Sequence, residues 1–400
     1  MKSARSLAHL TGWQVTDLEK DKIQQVFEYS FEEYASRYQP SGVQYKAAWS
    51  ILACKSGTLG FNRSECQKCG YLEIRNNSCR NRNCPCCQAV NRERWIDARR
   101  AEVIDTPYFH VVFTLPQQLR PLIYSNQKEL YSLIHKCTSE TLLELCADKK
   151  YLGATPGIIQ VLHTWTKDLK YHPHVHIIIS GGGLTKAGQL LKSSEKFFIP
   201  ILVLADKFRG KFLHFLEKLY LSGAFTFSDS CKDLQNSYNW KEFTYLLRHI
   251  NWNANIKETF NGFGNAIEYL GRYTHRIAIS NSRILSVTET ETTFKAFNSR
   301  TKQEDVITIS NVAFIRRFLQ HVLPTHFQKI RYYGFLNNRM KKKNLKLLFK
   351  LIGRQKFRSL YAGMKMEEFL LTAWQINIRL CPDCGCESMR PAGRTFHSLN

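Results

Sequence analysis

From Tyr171 to Gly183 the chain reads YHPHVHIIISGGG, imidazoles alternating with other side chains before a run of isoleucines and glycines. A period of two places residues i, i+2 and i+4 on one face of an extended strand. His172, His174 and His176 therefore share one side, while Val175 and Ile177 point into a core. Two imidazoles held in this way can grip one divalent cation. An isolated His-x-His pair is served equally well by the wet face of a half-buried strand, so the rest of the chain must decide between these readings.

The surroundings supply further strands. Tyr108 to Leu115 (YFHVVFTL) and Ile158 to Trp165 (IIQVLHTW) have strand character, and the second lies a short turn before the histidines. Strand, turn and strand so close together form an antiparallel hairpin and put the histidines mid-sheet on a rigid element. An apolar strand is expected near Phe197 to Leu204, a helix over 206–221 and a strand over 252–257. Helical spacing predicts helices over 16–38 from a Thr-Asp cap, 43–53, 88–103, 127–147 and 312–323. In the first of these, Ile23, Phe27, Phe31, Tyr34 and Tyr38 read as core. The segment 264–274 also reads as a helix, and there Tyr269 and Tyr273 stand four apart, so both hydroxyls project from one face. A packed aromatic face is the alternative for that pair.

The chain has 13 cysteines. Its first residues, MKSARSLAHLTGWQ, hold no apolar run of signal-peptide length, and the longest apolar run, Phe197 to Ala205, is far shorter than the about 20 residues a bilayer requires. The expectation is a cytoplasmic chain with no membrane partner, in which thiols stay reduced and bind metal. Cys66-Gln-Lys-Cys69 and Cys84-Pro-Cys86-Cys87 make two C-x2-C knuckles, and Cys66, Cys69, Cys84 and Cys87 are expected to close one tetrahedral Zn2+ site. Cys79 and Cys86 are surplus to that set: either can substitute for a neighbour as ligand, or Cys79 can be a buried small hydrophobe. Cys54, Cys137, Cys146 and Cys231 stand alone as core or surface thiols. Cys381-Pro-Asp-Cys384 supplies half of a second site, to be completed by Cys386 and His397 or left as inert thiols.

Charge selects the partner. Lys and Arg number 57 against 33 Asp and Glu, a net charge of +24, which favours a polyanion such as nucleic acid. Arg339 to Arg358 carries Lys341, Lys342 and Lys343 among its cations and no acid. Leu345, Leu348, Phe349 and Ile352 recur through it at the spacing of an amphipathic basic helix.

Four segments, HPHVHIIISGGGL preceded by LHTW, EYLGRYTHRIAISNSR, FIRRFLQHVLP with RYYGFL, and NSCRNRNCPCCQ, together resemble the rolling-circle insertion-sequence transposases of the HUH endonuclease superfamily. The match runs from about Leu52 to Tyr333 in the family's order, with CPDCG beyond. Asn83 departs from it, standing where family members carry His. The resemblance implies that His174 and His176 hold a catalytic Mg2+ or Mn2+, with a third ligand among Glu268, Asn265 and His275. It implies that Tyr269 or Tyr273 attacks the phosphorus of single-stranded DNA to give a 5′-phosphotyrosine, and that Arg272, His275 and Arg276 lie beside the nucleophiles where they can contact phosphate. The implied partners are the single-stranded ends of the element, target DNA and host replication machinery. No GxxxxGK[ST] motif is present to power strand separation. A plasmid replication initiator or relaxase with the same chemistry, and a non-catalytic zinc-ribbon DNA-binding protein, are the competing readings.

The expected fold class is α+β: an HUH-type nuclease domain with a central antiparallel sheet flanked by helices, a small zinc-ribbon-like domain and a basic helical C-terminal region. The expected division is an N-terminal helical segment over 1–53, a zinc-binding domain over 54–100, the nuclease domain over 101–325 and the basic region over 326–400.

Overall fold

The computed structural model describes residues 21–193, 199–260, 267, 268, 271, 274, 278–298, 301–353 and 359–396. The chain forms two units, Met1–Arg94 with His275–Val322 and Tyr361–Asn400, and Trp95–Thr274 with Leu323–Leu360. Among the described residues no helix is long and apolar enough to cross a membrane.

In the first unit, α1 (Lys22–Tyr38) begins where the Asp21 carboxylate caps the amides of Ile23 and Gln24. The expected Thr-Asp cap lies outside the described residues. Ile23, Phe27, Phe31 and Tyr34 are buried, as their spacing requires, whereas Tyr38 is exposed with the Arg316 guanidinium over its ring. Helix α1 packs with α2 (Gly42–Ala53) and α8 (Asn311–Leu319), and Phe27 meets Phe318 edge-on. Strands β8 (Ile284–Val287), β9 (Glu291–Asn298) and β10 (Gln303–Ser310) form an antiparallel sheet whose Phe294 packs on Phe314 of α8. A second small sheet has the order β12-β1-β2, from β1 (Phe61–Cys66), β2 (Leu72–Asn76) and β12 (Met389–Arg394). Helix α10 (Met366–Trp374) buries Phe369 under the Arg94 guanidinium.

The second unit is built on one antiparallel sheet of order β11-β4-β5-β3-β7, with β6 paired to β5. Its strands are β3 (Tyr108–Thr114), β4 (Thr155–Trp165), β5 (Tyr171–Leu184), β6 (Leu190–Lys192), β7 (Asn253–Phe260) and β11 (Ile330–Gly334). The expected hairpin is β4–β5, and the histidine strand occupies the middle of the sheet. Alternation then separates two faces. Phe109, Val111, Phe113, Ile158, Leu162, Val175, Ile177 and Ile179 bury against α4 (Arg120–Ser125), α5 (Gln127–Ala147), α6 (Ile201–Leu221) and α7 (Ser237–His249). On the opposite face, Tyr108, Ile159, Val161 and Ile178 pack with Ile96 of α3 (Ala89–Arg100), with Ile267, and with Leu345, Leu348 and Phe349 of α9 (Lys341–Leu351).

Of the strand expected over Phe197–Leu204, Phe197 and Phe198 lie outside the described residues, and the described part is not a strand. Ile201 to Leu204 form the first turn of α6 instead, with Pro200 as the N-cap residue. Leu204, Phe208, Phe212 and Leu216 are buried along one side of that helix, so an apolar stretch that looked short and β-like is the start of a longer helical period. The basic run does form an amphipathic helix, and its apolar side covers the same sheet face that carries the histidines.

Candidate active site

Three imidazoles converge on that face. His174 and His176 project from β5, and antiparallel pairing sets His163 of β4 directly opposite His174. One ring nitrogen from each of the three lies within 4.8 Å of the others. His163 and His176 are only 2% and 7% exposed, while His174 is half-buried and open on one side.

Hydrogen bonds fix which nitrogens face inward. His174 Nδ1 is 2.6 Å from the backbone oxygen of His172, so Nδ1–H donates there and Nε2 keeps its lone pair. His176 Nδ1 is 2.9 Å from Nε2 of His110, a fully buried residue of β3. The Nε2 atoms of the two rings stand 3.1 Å apart. Neighbouring ligands on an octahedral ion with metal–nitrogen bonds of about 2.1 Å are separated by about 3.0 Å, so the donor set fits a divalent metal.

His172 does not join the trio. Its Nδ1 accepts a hydrogen bond from Arg120 at 2.8 Å, and burial followed by the Arg120 charge lowers its pKa to about 4. Of the expected third ligands, Glu268 forms an ion pair with Arg100, and Asn265 and His275 lie outside the described residues. The structure brings up His163 instead. Sequence reasoning included LHTW but missed His163 as a ligand, because only the β4–β5 register sets it across from His174.

Tyr269, Tyr273, Arg272 and Arg276 also lie outside the described residues. Their neighbours Ile267, Glu268, Gly271 and Thr274 are helical, as expected for 264–274. Ile267 is fully buried in the same apolar layer as Ile178, two residues beyond His176. Gly271 packs so closely on α3 that a Cβ there would stand 2.4 Å from Cγ1 of Ile96. Ile267 and Gly271 are thereby packed on the layer that carries the histidines.

The cysteines correct the expected zinc site. Cys66 and Cys69 do not close a tetrahedron with Cys84 and Cys87. One cluster joins Cys84 and Cys87 to Cys54 and Cys79, and the other joins Cys66 and Cys69 to Cys381 and Cys384. The reason is topological: β1 and β2 form a hairpin whose tip carries Cys66 and Cys69, and pairing of β1 with β12 sets Cys66 opposite Met389, at the start of β12 and next to the loop that carries Cys381 and Cys384. In the first cluster Cys87 Sγ lies 3.6 Å from Cys54 and 3.7 Å from Cys79. A tetrahedral zinc with bonds of about 2.3 Å separates its sulfurs by about 3.8 Å, so this set fits zinc. Cys54, read from sequence as a lone core thiol, and Cys79, read as surplus, complete it. Cys86 instead donates to Asp21 at 2.7 Å.

In the basic helix, Lys341 is drawn inward: its ammonium is 2.6 Å from Glu102 and lies over the Tyr332 ring. Lys342, Lys343, Lys346 and Lys350 are exposed.

Sheet, imidazole trio and thiol clusters together describe a mixed α+β protein organised around metal-ligating side chains. Residues 26–115 match the family described as "Transposase zinc-binding domain", and residues 157–344 match the family described as "Putative transposase". The chain is 39% identical over 330 residues to "Putative transposase y4qJ" of Sinorhizobium fredii, a match covering 81% of this chain and 83% of that one. It is 29% identical over 306 residues to "Transposase for insertion sequence element IS801" of Pseudomonas savastanoi pv. phaseolicola, covering 74% and 71% respectively. No solved structure matches significantly. The chain belongs to the IS91/IS801 family of insertion-sequence transposases.

Proposed function

We propose that this transposase is an HUH-type transesterase that nicks and rejoins single-stranded DNA in rolling-circle transposition, with Tyr269 and Tyr273 as nucleophiles. The observation that carries the reading is the trio His163, His174 and His176, set on a rigid sheet with the rings of His174 and His176 held at Nδ1 by neighbouring groups. A divalent ion held there would withdraw charge from the scissile phosphate. Mn2+ suits three nitrogens better than Mg2+, which prefers oxygen. The half-open side of His174 leaves room for phosphate oxygens.

The tyrosine hydroxyl loses its proton and its oxygen bonds to phosphorus as the bond from phosphorus to the 3′-oxygen breaks. The departing oxygen takes up a proton to become a 3′-hydroxyl, and the 5′-phosphate stays on the enzyme. A phenol has a pKa of about 10 and needs such assistance to act near neutrality. The covalent ester keeps the energy of the phosphodiester, so a later 3′-hydroxyl can reseal DNA without a nucleotide cofactor. Arg272 and Arg276 are assigned to the phosphates beside the tyrosines, and Lys342 and Lys343 to DNA beyond them. Lys341, an expected contact, is assigned to the pair with Glu102. Along the chain we assign 54–100 to zinc binding, 101–325 to the nuclease and 326–400 to the basic region. The setting is the cytoplasm, alongside host replication.

The test is to mix the purified protein and Mn2+ or Mg2+ with single-stranded oligonucleotides from the flanks of its own element, then look for a covalent adduct on a denaturing gel. The wild type is expected to form one only with metal. The double variant Tyr269→Phe/Tyr273→Phe should form none, and the single variants should show which tyrosine acts first. Intact DNA binding without any adduct in the wild type would overturn the assignment.

A further inference from the structure

The second cysteine cluster draws half its thiols from beyond residues 26–115, the segment matched to the zinc-binding family. Cys66 and Cys69 sit at the tip of the β1–β2 hairpin, and Cys381 and Cys384 in the loop preceding β12. The two loops share one backbone pattern. Cys66 N–H donates to Tyr71 O at 2.8 Å, and Cys381 N–H donates to Cys386 O at 2.8 Å, five residues on in both. Gly70 N–H returns to Cys66 O at 2.9 Å, and Gly385 N–H to Cys381 O at 3.0 Å. Both glycines have positive φ, +75° and +70°, a conformation that glycine adopts without a steric cost. Each loop thus presents its C-x2-C pair from a tight turn, and the two turns face each other.

Sulfur spacing matches a tetrahedral ion. Cys66 Sγ is 3.7 Å from Cys384 Sγ, and Cys69 Sγ is 3.6 Å from Cys381 Sγ, against the about 3.8 Å edge of a zinc tetrathiolate. Backbone pairing of β12 with β1, from Cys66 opposite Met389 to Asn62 opposite Arg394, brings the two turns together.

We propose that Cys66, Cys69, Cys381 and Cys384 bind a second structural zinc, separate from the one held by Cys54, Cys79, Cys84 and Cys87, and that it fastens the C-terminal segment to the β1–β2 hairpin. Cys386 lies 3.7 Å from Cys66 Sγ, but its sulfur is 2.7 Å from that of Cys384, well inside the about 3.8 Å edge of a zinc tetrathiolate, and it takes the place that Tyr71 has in the other loop, before the returning strand. It is therefore a neighbour of the site and not a ligand. Chain closure over so long a loop explains why a site whose cysteines lie so far apart in sequence is held in one unit.

A thiol-specific mercurial releases zinc bound to thiolates and leaves zinc bound to imidazole, and a chromophoric chelator counts what is released. From the full-length protein, two zinc ions per chain are expected, one from Cys381→Ser/Cys384→Ser, and two from Cys386→Ser. Tryptic cleavage at Arg379 and Arg394 should quicken at least tenfold in the double variant and stay unchanged in Cys386→Ser. One zinc from the wild type, or two retained by the double variant, would overturn the proposal. Should the double variant fail to fold, the cobalt-loaded wild type decides. Charge-transfer absorption of eight thiolates supports two sites, and that of four refutes the second.

Discussion

Each of the two strand histidines has its Nδ1 held by a neighbouring group, and this orients the ring so that Nε2 turns towards the trio. His174 uses Nδ1 on a backbone oxygen within its own strand, whereas His176 depends on a side chain from the next strand, His110. Groups that orient a ligating imidazole typically contribute a factor of about 10–100 in metal affinity. His110→Phe, which keeps the buried ring volume and removes the partner, is expected to weaken Mn2+ binding by about that factor. His163→Ala should weaken it further by deleting a ligand. His172→Ala should have little effect, because that ring is engaged with Arg120. Titration of the purified protein followed by calorimetry or Mn2+ electron paramagnetic resonance ranks the three. Equal affinities for His110→Phe and the wild type would reduce His110 to a packing residue.

Ile267, Glu268, Gly271 and Thr274 are helical, and Glu268 and Gly271 both contact α3. A Cβ on Gly271 would meet Ile96 at Cγ1 and Cδ1, on a buried side chain with little freedom to move away. Helix propensity alone would make Gly271→Ala stabilising by about 1 kcal/mol, while overpacking costs about 1–3 kcal/mol. A net loss of stability in urea is therefore expected, and Ile96→Val in the same chain should recover part of it through coupling between the two positions. A gain in the single variant would mean that the two helices are not in close contact. Elements of this kind show where the sequence could be read and where it could not. The β4–β5 hairpin, α5 and the basic helix were legible because their periods are local. The strand expected at Phe197–Leu204 is the first turn of α6 over its described part, because a short apolar stretch suits either element and only the buried period continued by Phe208, Phe212 and Leu216 tells them apart. The grouping of the cysteines was illegible because the partners of Cys66 and Cys69 arrive on β12, and no local spacing carries that information.

Across the whole molecule, charge is the property that acts at a distance. A net charge of +24 will draw single-stranded DNA to many surfaces, so affinity at one salt concentration says little about which cations touch phosphate. The salt dependence separates them, because each phosphate contact to a single strand contributes about 0.7 to the slope of log affinity against log salt. Lys342 and Lys343 are exposed on the first turn of α9, whereas Lys341 beside them is turned inward onto Glu102, which it shares with Arg99. Lys342→Gln/Lys343→Gln is therefore expected to flatten the slope by about 1.4, two contacts' worth. Lys341→Gln should leave it unchanged, because that ammonium has no counterions of DNA to displace. Fluorescence anisotropy of a labelled oligonucleotide between low and physiological salt measures both slopes. A slope lost with Lys341 and kept without Lys342 and Lys343 would place the DNA on the opposite side of α9, against the sheet that carries the histidines.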